Sequence, residues 1–154
     1  MDRYDQAILD ILATDGRISV AELARRIGLS KTPTLSRMRR LEAEGLIRGY
    51  RADLDLARLG APHIAFVEMR LSDTREPALR AFDAAVRRLP EVEACHMIAG
   101  AFDYLLKVRT SDIAAYRRVL GESLSRLPHV ASTSTHVVMD TVIDYAPPGP
   151  PTGE

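Results

Sequence analysis

Two six-residue stretches, RLPEVE at residues 88–93 and RLPHVA at residues 126–131, lie 38 positions apart in this chain of 154 residues. The same shift carries Phe82, Val86 and Leu89 onto Leu120, Leu124 and Leu127, apolar positions at helical spacing in both copies. A shift of 39 carries the alternating face Ala65, Val67, Met69 onto Tyr104, Leu106, Val108. A repeat that contains a strand face, a helix face and a common exit turn leaves few folds open.

Placing the remaining elements gives the order β-α-β-β-α-β. His63–Leu71 alternates as a strand, and a helix follows with Leu79, Phe82, Val86 and Leu89. Strand-like 91–98 and 103–109 flank a break at Gly100. A second helix starts near Ser111-Asp112 with Ile113, Tyr116, Leu120, Leu124 and Leu127 on its apolar side, and 130–139 closes the set. Two β-α-β halves sharing one antiparallel sheet form a ferredoxin-like α+β sandwich. Helices then cover one sheet face only. The other, expected to carry Ile64, Phe66, Cys95 and Met97, is a candidate oligomer interface.

The first 54 residues follow a different pattern. Tyr4, Ile8, Ile11 and Leu12 recur at helical spacing before Gly16. Ser19-Val20-Ala21-Glu22 has the form of a capping box, and Leu23 and Ile27 continue a second helix that Gly28 stops. A third helix begins within Ser30–Pro33 and runs to about Glu44, with Leu35, Met38 and Leu41 expected to face the core. Ala24 four residues before Gly28, a short Gly28-Leu29-Ser30 turn and a hydroxyl-rich helix start make this a helix-turn-helix. The following LIRGYRADLD suits a short strand or wing. Pro33 is tolerated whether Ser30 or Thr32 caps the helix, because amides in the first turn have no intrahelical partner.

Net charge is zero, but Ser30–Arg51 concentrates Lys31, Arg37, Arg39, Arg40, Arg48 and Arg51 against only Glu42 and Glu44. A solvated basic face would look similar, yet it would not require the cap, turn and small-residue spacing that accompany this stripe. In a helix-turn-helix the start of the second helix enters the major groove, so Lys31, Thr32, Thr34, Ser36 and Arg37 are the candidates for base edges. Arg39, Arg40, Arg48 and Arg51 are the candidates for phosphates. The partner these residues imply is double-stranded DNA.

Other classes find little support. No apolar run approaches the roughly 18 residues of a membrane span, and MDRYDQAILD carries acids where a signal peptide needs a basic head. One cysteine, Cys95, cannot make an internal disulfide, which fits a cytoplasmic protein. His63, His96, His129 and His136 are dispersed, with no metal-ligand spacing, and no phosphate-cradling glycine loop or nucleophile–base pattern occurs. Neither a cofactor, a metal nor a catalytic residue is expected. The organisation reads as 1–54 DNA-binding domain, 55–62 linker, 63–145 ferredoxin-like domain, and a Pro/Gly-rich disordered tail at 146–154.

DQAILDILATDGRISVAELARRIGLSKTP, RLEAEGLIRGYRADLD, GAFDYLLKV and LPHVASTSTHVVM together resemble the Lrp/AsnC family of transcription regulators over essentially the whole chain. The resemblance implies a winged helix-turn-helix followed by an effector and oligomerisation domain, with homodimers assembling further, commonly to octamers. Within the family, HIAFVEMRLSDTRE, VEACHMIAGAFDYLLKVRTSDI and LGESLSRLPHVASTSTHVVM look most like the proline-responsive activators of the proline dehydrogenase gene, which implies proline as effector. The family's small-molecule site maps to Ala99, Gly100, Ala101 and Asp103 and, on the last strand, to Thr133, Ser134 and Thr135. Exposed amides beside Gly100 suit a carboxylate, and Asp103 suits an ammonium. Ala101 departs from the polar residue many relatives carry there, and a plain hairpin turn accounts for Gly100 and Asp103 equally well.

Overall fold

The computed structural model describes residues 1–144, so the tail expected at 146–154 lies outside the described residues. The chain divides into two compact units: Leu54–Thr141 forms the second, and Met1–Asp53 together with the residues from Val142 forms the first.

The first unit packs three helices: α1 (Arg3–Thr14), α2 (Val20–Ile27) and α3 (Lys31–Ala43). Ile8, Leu23 and Leu41 are fully buried at its centre, with Ile11, Leu12, Ile27, Met38 and Ile47 packed around them. Ser19 caps α2 by accepting from the Glu22 amide at 3.2 Å, but only this half of the box forms. The Glu22 carboxylate instead takes Arg25 and Arg26 at 2.6 and 2.9 Å. Gly28 ends α2 at φ +72°, the left-handed conformation that the turn into α3 demands and glycine supplies without strain. Ser30 is the N-cap of α3, which places Pro33 at its third position. A reciprocal box that sequence reading passed over caps α1. Asp2 accepts from the Tyr4 and Asp5 amides at 2.9 and 3.0 Å, and Asp5 accepts from the Asp2 amide at 3.0 Å.

Two expectations fail in this unit. No strand forms between Leu46 and Leu54; alternation alone cannot make a strand without a neighbour to bond. Leu35 is 37% exposed, because the buried stripe of α3 is Thr34, Met38 and Leu41.

The second unit is the expected sandwich: β1 (His63–Leu71), α4 (Glu76–Val86), β2 (Val92–Met97), β3 (Tyr104–Thr110), α5 (Ile113–Glu122) and β4 (Val130–Val137). The sheet is antiparallel in the order β2-β3-β1-β4. Ala65, Val67, Met69, Leu71, Tyr104, Leu106 and Val108 face the helices and bury against Phe82, Val86, Tyr116 and Leu124. The helical pattern of the second repeat bends into a short 3-10 turn at Leu124–Arg126, and Ile113, expected inward, is half exposed.

Residues 56–60, within the segment read as the linker, form a hydrogen-bonded turn, with Gly60 at φ +92° and Ala61 donating to the Leu56 carbonyl at 2.9 Å. A bulge at Glu93, between Val92 and Ala94, shifts β2 by one residue, and a one-residue slip exchanges sheet faces. Cys95 and Met97 therefore pair with Leu106 and Tyr104 on the helix side, not on the open face as expected. The open face carries Phe66 and Leu105 among Glu68, Lys107, Arg109, His96 and His136.

Candidate nucleic-acid interface and effector loop

The exposures along α3 sort its candidate residues. Thr34 is fully buried, and its hydroxyl donates to the Ser30 carbonyl at 2.9 Å, so it cannot reach a base edge. Satisfying the hydroxyl within its own helix is what makes burying a threonine cheap. Arg37 is not directed at solvent either. Its Nη1 lies 2.7 Å from Asp2 and 2.8 Å from Asp5, and its guanidinium sits 5.3 Å from the Tyr4 ring centre. Arg40 reaches the other Asp5 oxygen at 2.6 Å. Asp5, 1% exposed, thus receives a backbone amide and two guanidinium groups. The Asp2 amide first, then Arg37 and Arg40, hold its carboxyl far below the usual carboxylate range against the opposing pull of burial. Arg37 and Arg40 therefore tie α3 to the start of α1, a role that 32 residues of separation hid from sequence reading.

Lys31, Thr32, Leu35, Ser36 and Arg39 are exposed on the side of α3 away from its buried stripe, with Glu42 and Ala43 on the same side toward the C-terminal end. At 100° per residue these positions form one contiguous strip, in which the apolar Leu35 stands among Lys31, Thr32, Ser36 and Arg39. Sequence reading missed Leu35 by assigning it to the core. Its exposed apolar surface can meet a thymine methyl, a contact that base recognition uses. Arg48 and Arg51 lie exposed in the segment after α3. That segment is held by the Tyr50 hydroxyl donating to Glu42 at 3.0 Å, and burial, then Glu42, push the phenol up to about 12.

In the second unit Ala99, Gly100 and Ala101 form an exposed bend between β2 and β3. Gly100 is not required by the backbone: its φ is ordinary, and an added Cβ would meet only Ile98 Cγ2 at 3.6 Å, a normal contact. Asp103 is a latch. Its Oδ2 accepts from the Leu71 amide at 2.7 Å, its own amide donates to Met69 O at 2.9 Å, and its carbonyl accepts from Ile98 at 2.8 Å. One carboxylate oxygen is thereby committed to the end of β1, which departs from an aspartate waiting for an ammonium.

The three β4 residues do not converge. Thr133 and Thr135 face the helices, opposite Met69 and Val67, whereas Ser134 pairs with Glu68 on the open face. Thr135 Oγ1 is engaged by the Tyr116 hydroxyl at 2.6 Å. Thr133 does share an end of the sheet with the loop: Met69 pairs with both Tyr104 and Thr133, which sets these two strand spacings, roughly 10 Å, apart.

No group of three His, Cys, Asp or Glu side chains converges among the described residues. Cys95 lines a shallow groove of about 400 Å³ between α4 and β2 with Asp83, Arg87 and Met97, and burial pushes its thiol up to about 11. A thiol so placed is a packing residue, not a nucleophile. Among the described residues no helix is long and apolar enough to cross a membrane.

Residues 1–48 match the winged helix-turn-helix DNA-binding profile, and residues 64–148 match the Lrp/AsnC ligand-binding domain. The chain is 61% identical to a proline dehydrogenase transcriptional activator of Rhizobium radiobacter over 92% of this chain and 91% of that one. It is 57% identical to the activator of the same name from Rhodobacter capsulatus over 96% of each. Identity to the leucine-responsive regulatory protein of Escherichia coli strain K12 is 49%, over 92% and 87%. Among solved structures, an AsnC family regulator from Agrobacterium tumefaciens superposes with a TM-score of 0.88 at 33% identity over 97% of both chains. A Neisseria meningitidis regulator in complex with L-Met gives 0.88 at 29%, over 97% and 96%.

Proposed function

The chain belongs to the Lrp/AsnC family of transcription regulators, and from that premise we propose that it is a proline-responsive activator of proline catabolism. The class is established by family and relatives: a DNA-binding regulator of amino-acid metabolism that answers to a small amino acid, and not an enzyme. The observation that carries the finer reading is the order of similarity. The two proline dehydrogenase activators stand at 61 and 57%, and the Escherichia coli leucine-responsive protein at 49%.

Lys31, Thr32, Leu35, Ser36 and Arg39 read the major groove, with Arg48 and Arg51 on phosphates. The Ala99–Ala101 bend offers backbone amides to the effector's carboxylate. Thr133 is the nearest of the last-strand candidates, and the free oxygen of Asp103 remains for the ammonium. Copies pair through the open sheet face and assemble to an octamer in the cytoplasm, so that paired recognition helices meet half-sites one helical turn or a multiple apart. Proline acts by binding one arrangement of these copies more tightly than another.

A thermal-shift screen of the full chain against the twenty amino acids tests the reading. Proline at 100 times its Kd stabilises by about 2.7 kcal/mol, a clear rise in melting temperature. A rise with leucine, methionine or asparagine and none with proline would overturn the proposed effector.

A further inference from the structure

We propose that Asp2 and Asp5, the carboxylates of the α1 cap, determine DNA specificity by holding Arg37 and Arg40 off the phosphates, so that sequence-independent binding stays weak. The inference rests on the reading of α3 as the DNA-contacting helix.

Four charges meet in this cluster, two of each sign. Arg37 is held by both carboxylates at 2.7 and 2.8 Å and by the Tyr4 ring, and its side chain is 27% exposed. Arg40 has Asp5 at 2.6 Å and Glu44 at 4.0 Å, and is 48% exposed, which leaves it within reach of a passing phosphate. Lys31 and Arg39, on the outward strip, have no ion pair among the described residues. The helix thus presents cations of two kinds, some free for DNA and two already neutralised.

The consequence is electrostatic. Phosphate contacts supply most sequence-independent affinity, and each phosphate neutralised steepens the fall of log K with log salt by about 0.9. An arginine occupied by an internal carboxylate adds nothing to that term. It must exchange one anion for another to bind DNA, whereas base-edge contacts from the outward strip are unaffected. The cap thereby lowers binding to arbitrary DNA while leaving recognition in place. The α1 capping box needs an acceptor at Asp5, which an uncharged amide would also supply, whereas burying a carboxylate there is costly unless guanidinium partners are provided.

The test uses the full chain with Asp5→Asn and Asp2→Asn. Asparagine is as good an N-cap as aspartate at Asp2, and at Asp5 its amide oxygen can still accept from the Asp2 amide, so the α1 cap is retained while the charge is removed. Binding is measured over a series of KCl concentrations to a random-sequence duplex and to a duplex enriched by the wild-type chain from a randomised pool. The proposal expects tighter binding to the random duplex, a slope steeper by about 0.9 per freed arginine in each bound subunit, and a lower ratio of specific to non-specific affinity. Asp5→Asn combined with Arg40→Gln should return the slope to that of the wild type. Folded variants with unchanged slope and ratio, or equally weakened on both duplexes, would overturn it and leave the cluster as a structural clamp. If circular dichroism shows Asp5→Asn unfolded, Asp2→Asn decides alone. A wild-type chain that enriches no sequence refutes the DNA reading itself; a selective wild type with unaltered variants refutes only this inference.

Discussion

Thr34 separates the structural assignment of α3 from the one its sequence suggests most sharply. Its side chain is fully buried and donates to the Ser30 carbonyl at 2.9 Å, an oxygen that also receives the Thr34 amide at 3.3 Å. Thr34→Val gives up one hydrogen bond, about 1 kcal/mol, without orphaning the carbonyl, and gains a buried methyl worth about 0.8 kcal/mol. The two nearly cancel. Thr34→Ala loses the bond and a methyl, about 2 kcal/mol together, and for a unit of this size that lowers the melting temperature by roughly 10 °C. Neither variant should alter base preference once folded. Thr32→Ala, at an exposed position, should leave stability within about 0.5 kcal/mol and forfeit about 1 kcal/mol of discrimination at one base pair, the value of a single hydroxyl hydrogen bond. Melting curves paired with binding to a set of single-base operator variants read both quantities. A relaxed base preference in Thr34→Val at unchanged stability, with Thr32→Ala indistinguishable from wild type, would mean that α3 presents another face and that the assignment is wrong.

Gly100→Ala adds a Cβ that meets only Ile98 Cγ2 at 3.6 Å, so thermal stability should hold while the response to amino acid is lost; a normal response would remove the bend from the effector site. Asp103→Asn should loosen the β1–β3 end by weakening the acceptor for the Leu71 amide, read as faster hydrogen exchange at Leu71 with the ligand-free chain still bound to DNA. Glu22, brought from 4.5 to about 2 first by Arg25 and then by Arg26, contributes stability that is fully present above pH 4.5 and is lost as pH falls toward about 2. Glu22→Gln should flatten the denaturant midpoint across that window. Tyr116→Phe breaks the 2.6 Å bond to Thr135 and should cost about 1 kcal/mol in urea unfolding.

Strong periodicity was readable from sequence, and the bounds of β1 agree with the alternation of His63–Leu71. What a period could not carry was lost. The stripes Thr34/Met38/Leu41 and Leu35/Met38/Leu41 share two positions of three; hydrophobicity favours leucine, whereas an intrahelical hydrogen bond lets threonine take the buried place. The bulge at Glu93 leaves no mark in a six-residue strand, yet it exchanges the faces of Cys95 and Met97. Likewise Asp103 looks like a ligand group until its bond to Leu71, 32 residues away in the chain, is seen. The Asp2–Asp5 box was legible as a local cap pattern, but its pairing with Arg37 required the tertiary fold. In each case the deciding contact is long-range or satisfies a polar group, and side-chain periodicity reports neither.

In the proposed function an amino acid bound in the second unit alters how the first binds DNA. The most direct test is a titration of the full chain onto labelled DNA from upstream of a proline dehydrogenase gene, followed by fluorescence anisotropy at fixed salt, with and without saturating L-proline. Proline should shift the apparent Kd or the stoichiometry at saturation, with the Gly100→Ala chain giving one curve under both conditions. Identical curves for the wild-type chain with and without proline would contradict the account.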